Sequence, residues 1–177
     1  MKDGQNAIIA ALKYALQMEI DGKKFYTLAA RESNNSVGRD LYSWLAGQEE
    51  LHYKRFQEIY AALTADRGWP AASVKPAKPV RLGTLFSKLI NEASKPSGTG
   101  PAEIGSADKA IDLELKSRDY YRQRAGEASS DTERKFFQSI SAEEQGHYLA
   151  LVDYKEYITD PADWFTRTEH HLLDGGG

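Results

Sequence analysis

The sequence predicts an all-α protein: a four-helix bundle of two helical hairpins, joined by a long crossover that contains a short helix. Three observations carry this prediction. Five of the six prolines fall between Pro70 and Pro101, and the sixth is Pro161. Proline is poorly tolerated in helix interiors, so these positions divide the chain into two long helical blocks. Each block carries seams of residues that step by four and three, the spacing packed bundles need. The second block also repeats the first at a shift of 95 positions, so that Glu19, Tyr26, Leu45, Glu49, His52 and Tyr53 are matched by Glu114, Tyr121, Ile140, Glu144, His147 and Tyr148. No strand-like alternation and no two-residue hairpin turn competes with this pattern.

The first helix is expected over residues 5–32, with the seam Ile8, Leu12, Ala15, Glu19, Gly22, Tyr26, Ala29. Ser33-Asn34-Asn35-Ser36 interrupts it with turn and N-cap chemistry. A second helix over 36–66 follows, with the seam Tyr42, Leu45, Glu49, His52, Phe56, Ile59, Leu63. Residues 67–101 form a Pro/Lys/Gly-rich connector. Within it Leu82, Leu85, Phe86, Leu89 and Ile90 have helical spacing, which predicts a short amphipathic helix lying over the bundle. The third helix, 102–128, has the weakest seam: Ala107, Ala110, Glu114, Ser117, Tyr121. Ser130-Asp131-Thr132-Glu133 has the spacing of a capping box and starts a fourth helix over 131–159. Its seam is Phe137, Ile140, Glu144, His147, Leu151, Tyr154, Ile158. The bundle is therefore expected to occupy residues 1–160, and residues 161–177 read as an exposed C-terminal tail.

Bulk properties narrow the function classes. A formal net charge of −3 argues against nucleic-acid binding, which would show a basic patch or stripe. With no cysteine, disulfides, iron–sulfur clusters, cysteine-type zinc sites and thiol catalysis are excluded. The N-terminus lacks the apolar core of a signal peptide, and no run approaches the ~18 apolar residues of a membrane span. A soluble, cytoplasmic protein is expected.

The seams hold charged residues where a plain bundle would hold Leu or Ile. Each half supplies a Glu and then, 30 residues later, a Glu-x-x-His. The midpoint of Glu19 and Glu49 falls in the Ser-Asn-Asn-Ser turn, and that of Glu114 and Glu144 in the Ser129-Ser130-Asp131 turn. Residues equidistant from the turn of an antiparallel hairpin lie at one height, here roughly 22 Å from it at the helical rise of about 1.5 Å per residue. Three-residue spacing puts Glu49 with His52, and Glu144 with His147, on one helix face. Six groups can thus converge on one level of the core. Four carboxylates cannot stay ionised there without compensation, and the seams carry no Lys or Arg. Two divalent cations would neutralise them, and carboxylate with imidazole suits iron, manganese or zinc. One Glu from each of two helices and Glu-x-x-His from each of two others is the ligand pattern of di-iron and di-manganese carboxylate proteins. Glu19, Glu49, His52, Glu114, Glu144 and His147 are therefore the candidate metal ligands.

Other residues take supporting positions. Tyr26 and Tyr121 share the face of Glu19 and Glu114 two turns along and can hydrogen-bond a ligand or a bound oxygen species. Gln48 and Glu143 precede the Glu-x-x-His motifs and can orient a histidine from the facing helix. Gly22, Gly47 and Gly146 lie inside helices, where close helix approach or ordinary packing would explain them. His170-His171 read as part of the exposed tail.

The stretch Gln48-Glu49-Glu50-Leu51-His52-Tyr53-Lys54-Arg55-Phe56 resembles the Glu-Glu-x-His-x-Lys-Arg-Phe motif of rubrerythrins, a branch of the ferritin-like family. Met18-Glu19-Ile20-Asp21-Gly22-Lys23-Lys24-Phe25-Tyr26 and Glu143-Glu144-Gln145-Gly146-His147-Tyr148 resemble its first- and fourth-helix motifs. The resemblance covers both helical blocks. It implies a ferritin-like bundle with a non-haem di-iron centre that reacts with hydrogen peroxide or oxygen. It also implies the same six ligands, with Tyr26 and Tyr121 supporting them, and self-association as a homodimer or larger assembly. Two departures follow. The cysteine-rich rubredoxin domain of many rubrerythrins has no counterpart in a chain without cysteine, so electrons must come from a separate donor protein. The extra carboxylate that rubrerythrins carry three residues after the third-helix Glu is replaced by Ser117, and Ile111 does not supply one either. The leading expectation is di-iron redox chemistry. The alternatives are ferrous iron oxidation and handling, or a structural or interaction bundle whose site is vestigial or filled by zinc.

Overall fold

The computed structural model describes residues 2–70 and 100–173, with side chains over 5–70 and 100–167. Those residues form five helices and no strand: α1 (Lys2–Glu32), α2 (Ser36–Thr64), α3 (Pro101–Gly126), α4 (Asp131–Thr159) and α5 (Pro161–Leu173). Helix starts follow the local chemistry. Asn35 caps α2, its Oδ1 accepting from the backbone N–H groups of Val37 and Gly38 at 2.9 and 3.2 Å. Pro101 sits in the first turn of α3, where its missing N–H costs nothing. Ser130 Oγ accepts from Glu133 N, and Glu133 reaches back to the Ser129 N–H, which completes a capping arrangement for α4.

α1 pairs with α2 and α3 with α4 as two hairpins, and these meet along α1–α3 and α2–α4. Two apolar clusters show how they are aligned. One joins Tyr26 and Ala29 of α1, Leu41, Tyr42 and Leu45 of α2, Ala107 and Ala110 of α3, and Leu151, Tyr154 and Ile158 of α4. The other joins Leu12 and Ala15, Phe56 and Ile59, Tyr121 and Ala125, and Phe136, Phe137 and Ile140. The start of α3 therefore lies beside the end of α1, at the opposite end of the bundle from where α2 finishes. α2 thus ends and α3 begins at opposite ends of the bundle, as expected of two hairpins joined by a crossover. Its proposed short helix over Leu82–Ile90 lies outside the described residues. Between the two clusters lies a third layer at the level of Glu19, Glu49, Glu114 and Glu144.

The C-terminal segment differs from its reading as a tail. α5 begins directly at Pro161, and Asp160 Oδ1 accepts from Asp163 N at 3.0 Å. Trp164 is buried, with its ring 5.6 Å from Tyr157 in an edge-on contact, so α5 extends the first cluster. Asp-Pro stops one helix, but it is also an N-cap followed by proline at the first helical position, and here it does both.

Candidate metal centre

The middle layer gathers every charged seam residue. Glu19, Glu49, His52, Glu114, Glu144 and His147 are each at most 6% exposed. One ligating atom from each of Glu19, Glu49 and His52 lies within 4.8 Å of the others, and the same holds for Glu49, Glu114, Glu144 and His147. Glu49 belongs to both groups. Glu144 also spans the two halves: its Oε1 lies 3.3 Å from His52 Nδ1 and its Oε2 lies 2.9 Å from His147 Nδ1. Glu19 Oε2 is 3.5 Å from His52 Nδ1, and Glu114 Oε2 is 3.4 Å from His147 Nδ1. The result is two corners, Glu19–His52 and Glu114–His147, with Glu49 and Glu144 between them. Each histidine turns Nδ1 inward.

The residues fit a metal pair. Glu19 Oε2, His52 Nδ1, Glu114 Oε2 and Glu144 Oε1 are buried and have no hydrogen-bond partner among the described residues. Orphaned polar atoms are rare in folded cores, and four gathered in this layer are what a site for a cation would leave. Gly22 explains how the space is kept. A Cβ there would lie 2.9 Å from Glu49 Oε2, so glycine lets α1 pass this carboxylate without displacing it. Gly47, by contrast, is exposed with nothing within 4 Å, and close approach does not explain it.

Protein groups alone leave the charges in conflict. Burial, with Glu19, Glu144 and Glu114 nearby, pushes Glu49 well above the carboxylate range. Burial and Glu144 raise Glu114 to about 7 despite His147. Burial opposes protonation of His147, but Glu114 and Glu144 outweigh it and raise its pKa to about 9. Burial likewise opposes ionisation of Glu144, and His52 and His147 outweigh it and hold Glu144 well below its usual value.

Linkage gives this a measurable sign. Stability contributed by protonated Glu114 is complete below 4.5 and is lost as pH rises through about 7. That from His147 imidazolium is complete below 6.5 and is lost as pH rises through about 9. Metal-free protein should therefore melt at progressively lower temperature from about pH 6 to pH 9. Metal ions replace those protons, so the stabilisation by added metal should widen over the same range. Scanning calorimetry of both forms across this window checks the expectation; a metal-free protein that gains stability towards pH 9 contradicts it.

Two tyrosines tie the hairpins across this layer. Tyr26 of α1 donates its hydroxyl hydrogen to Glu114 of α3, and Tyr121 of α3 donates to Glu19 of α1. Burial and the neighbouring carboxylates keep both phenols far above their usual pKa, so they stay neutral donors. Glu143 reaches His52, with its Oε2 3.2 Å from Nε2, whereas Gln48 makes no hydrogen bond to His147. Sequence reasoning missed Arg55, which donates to Glu143 at 2.9 Å, and Trp44, whose ring stands perpendicular to that of His147. A groove of about 560 Å³ between α1 and α2, walled by Ile20, Lys23, Thr27 and Leu28, reaches Glu19 from solvent.

The model of the rubrerythrin family matches residues 10–155, most of the chain and all four bundle helices. The chain belongs to the rubrerythrin family. Searches of curated proteins and of solved structures found no match. Within this rubrerythrin-family bundle the buried carboxylate–histidine cluster is a candidate di-metal site, and no helix among the described residues is long and apolar enough to cross a membrane. The third-helix position where rubrerythrins were expected to carry a further carboxylate is half-buried Ser117. The side chains of His170 and His171 lie outside the described residues.

Proposed function

We propose that the chain is a non-haem di-iron protein of rubrerythrin type that reduces hydrogen peroxide or oxygen with electrons from a separate donor protein. The observation that carries this reading is the closed layer of four glutamates and two histidines, with orphaned polar atoms facing one space. Two iron ions held by Glu19, Glu49, His52, Glu114, Glu144 and His147 would supply the two electrons that cleave an O–O bond, so that peroxide and two protons give two waters. The protein's own contribution is geometric and protic. Glu49 and Glu144 lie between the two corners, within reach of both, and would help hold the ions. Tyr26 and Tyr121 fix the rotamers of Glu114 and Glu19 and keep a proton on each phenol at the edge of the site. The two apolar clusters exclude bulk water above and below, and the α1–α2 groove leaves a side approach for a small oxidant. With no cysteine among these residues, they supply no thiolate-ligated iron of their own, and a separate donor protein would deliver the electrons. A reducing cytoplasm and self-association suit this role.

Ser117 favours one alternative, ferrous iron oxidation and handling, because the site then has six ligands rather than seven. The two readings differ in turnover. Anaerobic protein loaded with ferrous iron should oxidise about two irons per peroxide added, and take up about two irons per chain and no more. A ferrous-specific chelator assay reads both numbers. Continued uptake far beyond that value would favour iron handling. No peroxide- or oxygen-dependent oxidation of bound iron would overturn the redox reading and leave a structural bundle or a zinc-filled site.

A further inference from the structure

The repeat that places the six ligands breaks at the residues meeting the two histidines from outside. On the His52 side, Glu143 Oε2 lies 3.2 Å from Nε2, Arg55 donates to both Glu143 oxygens at 2.9 and 3.0 Å, and Ser139 Oγ donates at 3.1 Å. The positions matched to Glu143, Arg55 and Ser139 at the 95-residue shift are Gln48, Ala150 and Trp44, around His147. None of these gives His147 Nε2 a hydrogen-bond partner among the described residues. Trp44 instead packs against the ring, with centroids 5.3 Å apart and planes at 87°.

This difference has a direct chemical consequence. Donation from His52 Nε2–H to a carboxylate fixes the tautomer, leaves the Nδ1 lone pair facing the centre, and makes that nitrogen a better donor to a metal. Arg55 and Ser139 hold the carboxylate in place. His147 must select its tautomer and ring orientation without such a partner. We infer that the two metal positions are unequal: the one built on Glu19, Glu49 and His52 binds its ion more tightly and fills first, because Glu143, held by Arg55 and Ser139, positions His52. The one built on Glu114, Glu144 and His147 is looser and fills second. Glu143, Arg55 and Ser139 are positioning residues. The inference rests on the di-metal reading above.

Calorimetric titration of the metal-free full chain with cobalt(II), with tryptophan fluorescence followed in parallel, tests it. Wild type should bind in two steps at least about 10-fold apart in affinity. Trp44, touching His147, should be quenched mainly in the second step, and Trp44→Phe should remove that signal. Glu143→Gln should weaken the first step by about 10–100-fold and leave the second unchanged. Arg55→Gln separates positioning from bulk charge. Loss of a positive charge would tighten cation binding, whereas loss of support for Glu143 weakens the first step. The inference is overturned if Glu143→Gln affects neither step or only the second, or if Arg55→Gln tightens the first. Two-step binding with those variants silent overturns this inference alone; no cobalt binding by wild type overturns the di-metal reading with it.

Discussion

Replacing Glu49 with methionine is expected to abolish binding of the metal pair and, at the same time, to raise the melting temperature of the metal-free protein. Glu49 is shared by both candidate ligand groups, so its loss removes one ligand from each position. The stability gain follows from the surroundings. Burial and the charges of Glu19, Glu144 and Glu114 all disfavour its ionised form. A group with a raised pKa in the folded state contributes stability that is lost as pH rises above its ordinary value, so near neutrality Glu49 opposes folding. Methionine has a similar length and carries no charge. Replacing buried ionic groups by apolar residues of similar volume commonly stabilises by about 1–4 kcal/mol. In a domain of this size each kcal/mol moves the melting temperature by about 2–4 °C. Thermal melts monitored by circular dichroism at pH 7 and pH 8 check the claim, with the larger gain expected at the higher pH. A variant that melts lower than metal-free wild type, or that still binds metal as wild type does, would contradict it.

Gly38→Ala should have the largest effect in the opposite direction. Gly38 lies in the first turn of α2, against a polar knot outside the candidate metal centre. Tyr154 of α4 donates to Glu103 Oε1 of α3 at 2.7 Å, and Ser33 Oγ lies 2.9 Å from the same oxygen. A Cβ on residue 38 would overlap the Tyr154 hydroxyl and lie 2.7 Å from both Glu103 Oε1 and Ser33 Oγ. The knot joins the α1–α2 turn, the start of α3 and the C-terminal half of α4, so none of its members can withdraw without breaking a partly buried hydrogen bond. The expected loss is about 1–3 kcal/mol or more, read from chemical denaturation of the metal-free protein. Tyr154→Phe removes the atom that clashes most. In the double variant the two losses should therefore sum to less than additively. Strict additivity would place the Gly38 effect elsewhere.

The clustering of the candidate ligands was legible in the sequence because its information is periodic. Equal spacing from two turns put Glu19 level with Glu49 and Glu114 level with Glu144, and the shift of 95 tied the halves together. Helix limits were legible from proline and capping chemistry: α4 spans Asp131–Thr159, the range expected from its capping box and from Pro161. What the sequence did not show is which residue of one hairpin meets which of the other. Tyr26 finds Glu114 and Arg55 finds Glu143 across 88 positions each, through contacts no local pattern encodes. The pairing of Glu143 with His52, but not of Gln48 with His147, depends on the same packing. α5 was missed for a different reason: Asp160-Pro161 satisfies both a stop and a start rule, and only burial of Trp164 decides between them. The role of Glu103 was hidden because an acid in a first turn is ordinarily explained by the helix dipole alone.

The central claim is that the buried layer holds a pair of metal ions. Elemental analysis of protein purified anaerobically without added metal tests it most directly. About two metal ions per chain, predominantly iron, are expected, with their loss in the Glu49→Met variant. Protein that carries no metal, and still binds none after loading with ferrous iron, would contradict it.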